Sequence, residues 1–269
     1  MKIHQILIND TNKLPNEFPK FHNLCFKQIK KLYPDDEYHL YSGEELEEII
    51  QNNFHIDVFI AYKKLKPYAC KADLARLCLL YLYGGLYIDL NLYFINAIPN
   101  LDKLEFFAFR DSSKRSMQSW AVQNGIIYSL PKSKIVKNAI DLIVKHCKEE
   151  YYGVQCVDVS ATTVLGIAII KSLPHFGIAT NGELDGFTLK TFDKKIQNKI
   201  KKMGYKNERL LGFIMDNDDK LIAIRKPSSG GDIKSMGFTG TNNYTEMWKN
   251  KKIYDTSIKF PNNNLLNYS

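Results

Sequence analysis

The hydrophobic and polar positions in the first part of the chain change repeatedly between a strand pattern and a helix pattern. Residues 2–8 (KIHQILI) form a short apolar run typical of a strand, and residues 37–41 (EYHLY) alternate like a second strand. Between them, apolar residues recur at helical spacing as far as Leu32, and Pro34 then ends the helix. This order is typical of a parallel sheet covered by helices.

The alternation of strand and helix patterns continues with further helices. Ser42 and Glu45 have the spacing of a capping box, which predicts that a second helix begins there. Another helical segment covers about residues 56–66. Residues 71–91 (KADLARLCLLYLYGGLYIDLN) then begin as an almost wholly apolar helix, stop at a Gly-Gly pair of the kind that ends helices, and continue as a short buried strand.

Two charges, Asp73 and Arg76, interrupt this apolar helix, where an unpaired charge would cost several kcal/mol. One interpretation is an i,i+3 ion pair that only braces the helix. The other is a functional pair, because the following strand ends in Asp89, and open α/β sheets bind ligands outside the carboxyl ends of their strands. We favour the functional interpretation, since a helix followed by an adjacent strand can bring both carboxylates to one edge of the sheet.

The second half of the chain continues the pattern less regularly. Residues 105–110 and 124–129 have the composition of strands, and apolar positions within 135–147 mark an amphipathic helix. Short β-like runs at 187–192 (FTLKTF) and 221–225 (LIAIR) follow among turns.

Two polar runs in this half have both a structural and a chemical interpretation. Ser160 and Thr162, in the run 160–163 (SATT) before an apolar helix, are either N-caps of that helix or contacts for an anion or a sugar hydroxyl. The acidic run 216–219 (DNDD) lies between two β-like segments, so we interpret it as a hairpin loop and not as a carboxylate cluster.

Length and composition suit one large α/β domain, because 269 residues with 45% hydrophobic residues can bury a sizeable core. The five cysteines are odd in number and contain no C-x-x-C pair, which favours buried thiols in a reducing compartment. No apolar run resembles a signal peptide or a membrane span, so we expect a cytoplasmic protein.

The net charge of +8 comes from the last part of the chain, because residues 190–269 hold 16 Lys and Arg against 8 Asp and Glu. The densest basic run, 194–202 (KKIQNKIKK), is either a solvated helix face or a docking surface for anionic lipid, a polyanion or a phosphate-bearing substrate. No aromatic platform or nucleic-acid motif accompanies these residues, so we predict no binding to nucleic acid.

Asp89 and Asn91 form a D-x-N pair directly after the buried strand. Such a pair is weak evidence by itself, but at the edge of a sheet its two oxygens can hold one divalent ion and leave other positions for waters and phosphate oxygens. Mg²⁺ or Mn²⁺ held in this way neutralises the charge that builds up on a departing diphosphate. The pair therefore predicts diphosphate chemistry.

The pattern K-A-D-L-x-R-x-x-x-L-Y-x-x-G-G-x-Y-x-D-x-N resembles the signature of the sugar-binding-region glycosyltransferases that contain a D-x-D motif. This family includes capsular-polysaccharide enzymes and is related more distantly to the glucosylating domains of large clostridial toxins. The resemblance implies a GT-A (Rossmann-like) α/β fold over residues 1–269, with a mostly parallel central sheet flanked by helices. It also implies a nucleotide-sugar donor (a UDP-sugar favoured over a GDP-sugar), Mn²⁺ or Mg²⁺, and retention of anomeric configuration.

The resemblance assigns roles by position to the first strand, to residues 71–91 and to the region of Trp248. The implied catalytic residues, which contact the donor, are Asp73, Arg76 and Asp89. The implied nucleotide contacts are Leu7, Ile8 and Asn9 after the first strand, Tyr87 and Asp89 at the ribose, and Trp248, whose indole N–H would donate to the diphosphate.

The resemblance also implies a metal site that the basic C-terminal part, residues 190–269, completes. The implied metal ligands are Asp89, Asn91 and an oxygen from Asn243, or alternatively from Asn242 or Glu246.

Three positions depart from the family pattern. Asn91 stands where the family commonly has Asp, which keeps an oxygen ligand but removes a charge, so we expect weaker metal binding. Leu7 stands where many relatives have a Trp that stacks on the base. Asn242 and Asn243 lie where many relatives have a His.

Together these features predict a retaining, metal-dependent transferase that moves a hexose to a glycan or lipid-linked acceptor at the cytoplasmic face of a membrane, with residues 190–269 near anionic lipid. In retaining glycosidases one of two close carboxylates attacks the sugar. Here both Asp73 and Asp89 are implied to hold the donor, so we favour front-face attack by the acceptor hydroxyl. Two alternatives stay open: an effector that glycosylates a host protein, and a non-catalytic glycan- or polyanion-binding protein on a decayed transferase fold.

Overall fold

A computed structural model describes residues 1–111, 120–172, 182–185, 198, 212–218, 220–225, 234–239 and 242–261. The helices are α1 (Lys20–Leu32), α2 (Gly43–Asn53), α3 (Ile56–Lys64), α4 (Tyr68–Tyr83), α5 (Lys134–Glu149), α6 (Thr162–Lys171) and α7 (Tyr244–Lys249). The strands are β1 (Lys2–Leu7), β2 (Glu37–Ser42), β3 (Gly85–Ile88), β4 (Leu92–Phe94), β5 (Phe106–Arg110), β6 (Val122–Ser129), β7 (Gly182–Asp185), β8 (Gly212–Met215) and β9 (Leu221–Arg225). The predicted strand 187–192 lies outside the described residues, as does the basic run 194–202 except for Asn198.

The central sheet has five strands in the order β2-β1-β3-β6-β5. β1 pairs in parallel with both β2 and β3, whereas β6 pairs antiparallel with both β3 and β5. Four of the five strands therefore run in the same direction, and only β6 is reversed. The predicted α/β class, with a mostly parallel sheet flanked by helices, is confirmed.

A second sheet, in the order β4-β9-β8-β7, is antiparallel throughout. The acidic run 216–219 joins β8 to β9, and the Asp216 carboxylate accepts hydrogen bonds from the backbone N–H groups of Asp218 and Lys220. The hairpin interpretation of this run is therefore confirmed for its described residues. The sequence analysis did not predict β4, because three residues are too few to show an alternation.

The two faces of the central sheet are covered by different elements. Apolar residues of α2 to α6 pack on one face, together with Tyr87 of β3 and Ile127 of β6. α1 and the second sheet pack on the other face, against Leu86 and Ile88. Successive residues of β3 therefore point to opposite sides of the sheet, as the pleat of a strand requires.

The capping box predicted at the start of α2 is present. The Ser42 hydroxyl accepts a hydrogen bond from the Glu45 backbone N–H at 3.2 Å, and the Glu45 carboxylate accepts one from the Ser42 backbone N–H at 2.7 Å. All five cysteines are free, as expected, and only Cys156 is partly exposed. Within the described part of the chain, no helix has the length and apolar character needed to cross a bilayer.

α4 ends in a tight turn that leads directly into β3. Gly84 has a φ of 64° and Gly85 a φ of 95°, a region that favours glycine. His4 of β1 fixes this turn, because its buried Nε2 bonds the Gly84 carbonyl oxygen at 2.8 Å. Burial lowers the pKa of His4 to about 4, so at neutral pH the ring is uncharged and Nε2 carries the donated proton.

Replacement of Gly85 by alanine should destabilise the junction between α4 and β3. A Cβ at Gly85 would lie 2.1 Å from the Lys2 carbonyl oxygen, and the positive φ adds strain. We expect Gly85→Ala to lower the free energy of unfolding by about 3 kcal/mol or more in urea denaturation. Gly43→Ala is the control, because its nearest neighbour is the movable side chain of Asn12. Equal effects of the two substitutions would contradict this prediction.

Candidate functional site

The spacing of residues in α4 and β3 brings Arg76 and Asp89 to the same level above the sheet. Arg76 lies eight residues before Gly84, which is about 12 Å along a helix. Asp89 lies four residues after Gly85, which is about 13 Å along a strand. Because the chain reverses at the two glycines, the helix and the strand return these side chains to one edge. The fixed spacing of the motif follows from this hairpin-like geometry.

Arg76 is shared by two carboxylates. Its guanidinium lies 2.9 Å from an oxygen of Asp73 and 3.1 Å from Oδ1 of Asp89. It also stacks on the ring of Tyr87 at 4.5 Å, and the Tyr87 hydroxyl donates to Asp89 Oδ1 at 2.7 Å. Arg76 is 5% exposed and Asp73 is 6% exposed, so the pair is buried. The i,i+3 ion pair therefore exists, and its arginine also reaches the end of β3.

Asp73 has hydrogen-bond partners on both of its oxygens. The Asn124 side-chain amide donates to Oδ1 at 2.8 Å, and the Ser160 hydroxyl donates to Oδ2 at 2.8 Å. Burial raises the pKa of Asp73 to about 6, although Arg76 and the two donors oppose this shift. Asp73 is thus held between α4, β6 and the loop before α6.

The N-cap interpretation of Ser160 and Thr162 is wrong. α6 begins at Thr162, its N-cap is Ala161, and no side chain caps it. The Ser160 hydroxyl is bonded to Asp73, and the Thr162 hydroxyl oxygen is buried. The Ser160 hydroxyl therefore orients a site carboxylate.

A cavity of about 560 Å³ lies against this cluster. Its polar wall contains Arg76, Tyr87, Asp89 and Asn91. Other residues that line the cavity, on its apolar and C-terminal walls, include Leu7, Ile8, Tyr68, Ala72, Met236, Phe238, Asn242, Asn243 and Tyr244. Leu7 and Ile8, the predicted nucleotide contacts, both line this cavity.

Asn91 lines the cavity and has an unused side-chain oxygen. Its side-chain Oδ1 is buried and has no hydrogen-bond partner within the described part of the chain. Asp89 Oδ1 is bonded to Arg76 and Tyr87, whereas a Cβ at Gly125 would lie 2.6 Å from Asp89 Oδ2. The absence of a side chain at Gly125 leaves room for this second carboxylate oxygen.

The free amide oxygen of Asn91 and the carboxylate of Asp89 fit a hard divalent cation such as Mn²⁺ or Mg²⁺. Among the described residues, no three His, Cys, Asp or Glu side chains cluster in a way that could hold a metal. Waters and phosphate oxygens could complete the coordination of a cation at this pair.

Several residues that the sequence assigned to ligands are engaged elsewhere. The Asn9 side chain is buried and bonds the backbone carbonyls of Lys13 and Met236, so it does not line the cavity. The Trp248 indole N–H donates to the Tyr152 carbonyl at 2.6 Å, and Trp248 also lies outside the cavity lining. In this structure, neither residue has the position that the resemblance implied.

Asn242 and Asn243 line the cavity, but their amide oxygens already accept hydrogen bonds. Asn243 Oδ1 caps α7 by accepting from the backbone N–H groups of Thr245 and Glu246. Asn242 Oδ1 accepts from the Tyr68 backbone N–H at 2.8 Å. A metal bound by either oxygen would have to replace these bonds.

The sequence analysis missed the closure of the cavity by distant segments. The Tyr68 hydroxyl donates to Asp10 Oδ1 at 2.7 Å, and the Thr239 backbone N–H donates to Asp10 Oδ2 at 2.7 Å. Phe238 packs edge-on against Tyr68, with 5.9 Å between ring centroids. No local pattern links these residues. The strand predicted at residues 124–129 was the available signal for Asn124.

Comparison with known proteins gives three similarities. Residues 15–161, more than half of the chain, match the model of a family described as capsular polysaccharide synthesis protein. The chain is 29% identical over 133 residues to an uncharacterised glycosyltransferase of Acanthamoeba polyphaga mimivirus, a match that spans 49% of this chain and 51% of that protein. The PaToxG glycosyltransferase is similar in structure, with a TM-score of 0.47 and 15% identity over 94% of this chain and 83% of that chain.

Removal of the Arg76 charge should destabilise the protein strongly. Arg76→Gln leaves Asp73 buried without its cation, and we expect a loss of about 3–5 kcal/mol in the free energy of unfolding. Lys137→Gln, which breaks an exposed ion pair with Asp141, should cost less than about 1 kcal/mol. Urea denaturation measures both. An Arg76→Gln variant as stable as Lys137→Gln would show that the cluster is not electrostatically coupled.

Proposed function

Because the chain belongs to the capsular polysaccharide synthesis protein family, as its signature predicted, we propose that it is a glycosyltransferase that moves a hexose from a nucleotide-diphosphate sugar to a glycan or lipid-linked acceptor. One observation carries the proposal. Arg76 pairs with both Asp73 and Asp89, and Arg76, Asp89 and Asn91, whose amide oxygen is unused, line one cavity. The name of the mimiviral relative agrees with this activity.

The cavity has the size and polarity for a nucleotide-sugar. Its volume of about 560 Å³ falls in the range of about 300–1,000 Å³ that small-ligand pockets occupy. The base would lie between Leu7, Ile8 and Phe238, and the sugar and diphosphate would lie toward Arg76 and Asp89. We favour a UDP-sugar over a GDP-sugar.

Asp89 and Asn91 would hold Mn²⁺ or Mg²⁺ at the diphosphate. When bound, such a cation supplies a Lewis acid that stabilises the negative charge of the leaving diphosphate. Arg76 orients the Asp89 carboxylate, because its guanidinium and the Tyr87 hydroxyl both bond Oδ1. The other oxygen, Oδ2, would then be the one that binds the metal.

The hydrogen bonds of the two carboxylates favour transfer without a covalent sugar intermediate. Both oxygens of Asp73 are bonded, and Asp89 is held at Oδ1, so neither side chain is free to move as a nucleophile. The acceptor hydroxyl would instead attack the anomeric carbon from the face of the leaving group. The new C–O bond forms as the bond to the diphosphate breaks, the hydroxyl proton passes to the diphosphate, and the configuration is retained.

Nucleotide binding tests the proposal directly. A saturating UDP–Mn²⁺ mixture should raise the melting temperature by roughly 5 °C, since a ligand at about a hundred times its Kd stabilises by about 2.7 kcal/mol. Asp89→Ala should abolish both the shift and sugar transfer while the circular dichroism spectrum stays unchanged. If UDP, GDP and CDP all left the melting temperature unchanged, with and without Mn²⁺, the proposal would fail.

The amide at Asn91 should limit metal affinity. Asn91→Asp adds a charged ligand at the unused oxygen, and we expect Mn²⁺ to bind about tenfold more tightly in the presence of UDP. Electron paramagnetic resonance of free Mn²⁺ measures this without any turnover. Asn243→Asp is the matched control, because it adds the same charge at an oxygen that already caps α7. A larger gain in Mn²⁺ affinity from Asn243→Asp than from Asn91→Asp would indicate that the metal binds at the start of α7.

The second candidate function is non-catalytic glycan binding on a decayed transferase fold, and Asn91 in place of a carboxylate is the observation that favours it. Slow release of free sugar from a nucleotide-sugar, lost in Asp89→Ala, would exclude this candidate. A panel of UDP-, GDP- and CDP-sugars would identify the donor in the same assay.

A further inference from the structure

Four exposed lysines lie next to the cavity, and we name them the α7 lysine patch: Lys66, Lys249, Lys251 and Lys252. The structure ties them to the cavity wall. The Lys66 carbonyl accepts from the Asn242 side chain at 3.3 Å, and the Lys66 N–H donates to the Ile253 carbonyl at 2.8 Å. α7 begins at the cavity wall with Tyr244 and ends at Lys249, about 8 Å further along the helix.

The charges of the α7 lysine patch are not neutralised locally. In the described ranges, none of the four ammonium groups lies within 4.0 Å of a carboxylate. Acids near the patch include Glu246, on α7, Asp255, whose carboxylate accepts from the Ser257 hydroxyl and N–H, and Glu150, which pairs with Lys64. None of these carboxylates forms an ion pair with a lysine of the patch among the described residues.

The patch is made of lysines on an open surface. Lysine ammonium groups are point charges on flexible stems, whereas arginine forks suit the geometry of one bound phosphate. Lys251 lies over the ring of Tyr152 at 4.2 Å and near that of Trp248 at 5.7 Å, and Tyr244 is 39% exposed beside the cavity. On such a surface the positive charge is spread over an area and an aromatic residue lies at the margin. It is therefore complementary to the anionic headgroups of a lipid bilayer.

We propose that the α7 lysine patch docks the protein on an anionic lipid bilayer, with the donor cavity facing the membrane. The acceptor is then a lipid-linked glycan whose sugar end enters the cavity beside Tyr244. The assignment of the acceptor rests on the proposed function, whereas docking on the bilayer is independent of it.

Vesicle sedimentation tests the docking. The full chain is mixed with phosphatidylcholine vesicles, with or without about one third phosphatidylglycerol, and each lysine near an anionic surface contributes roughly fivefold in affinity. The test variant is Lys66→Gln/Lys249→Gln/Lys252→Gln, which keeps Lys251 on its aromatic rings. The control is Lys20→Gln/Lys27→Gln/Lys31→Gln, which removes the same charge from exposed positions of α1, on the other face of the central sheet.

We expect binding to the anionic vesicles only, and weaker binding at high salt. The test variant should need at least about 25-fold more lipid for half-maximal binding, which is the effect of two lysines at roughly fivefold each, and the control should bind like the wild type. Equal losses in the two variants would overturn the proposal, because net charge alone would then account for binding. The proposal would also be overturned if the test variant bound anionic vesicles as tightly as the wild type, or if the wild type bound no vesicles. Binding that depends on the patch but occurs only with soluble heparin would overturn it as well.

A nucleotide measurement separates this proposal from the proposed function. The test variant should keep the full UDP–Mn²⁺ shift in melting temperature, which also shows that it is folded. Loss of docking with an intact nucleotide shift supports the patch. If UDP, GDP and CDP all failed to shift the wild type, the transferase function would be refuted, and the vesicle result would still be valid.

Discussion

The structure depends on one buried cation that serves two carboxylates. Arg76 is 5% exposed and bonds both Asp73 and Asp89, which come from α4 and from the end of β3. A buried ion pair is seldom more stable than well-packed apolar residues, because both charges lose their hydration. An otherwise apolar helix therefore has no packing reason to contain these charges. Because these charges lie beside a cavity, a chemical role explains why they are present in the helix.

The rest of the fold orients this cluster. The glycines at 84 and 85 and the neutral ring of His4 set the turn that returns β3 alongside α4. β6, the one reversed strand of the central sheet, brings Asn124 to Asp73. The cavity is then closed by C-terminal residues, since Asp10 near the first strand accepts from Thr239. Residues far apart in the chain thus form one pocket, and the helix that begins at its wall with Tyr244 ends at Lys249 of the α7 lysine patch.

The structure also separates ligand-facing residues from those that support them. Asp73 was assigned to the donor, but all its oxygens are bonded within the protein, and it does not line the large cavity. Trp248 and Asn9 are likewise engaged with backbone carbonyls. Asn91 is the opposite case, because it lines the cavity and its buried amide oxygen has no partner in the described part of the chain. The departure from the family pattern therefore lies at a position where a ligand would bind.

The sequence by itself determined the local structure and the centre of the site. Apolar periodicity, a capping box and a Gly-Gly stop are local signals, so they predicted α1, α2, α4 and β3 and placed Asp89 at a strand end. The order of a helix followed by an adjacent strand also predicted that Asp73 and Asp89 reach one edge of the sheet. Only the tertiary structure decided which side chains still face a ligand. Hydrogen bonds such as Asn243 to α7, Trp248 to Tyr152 and Tyr68 to Asp10 depend on packing between distant segments, and no periodicity along the chain encodes them.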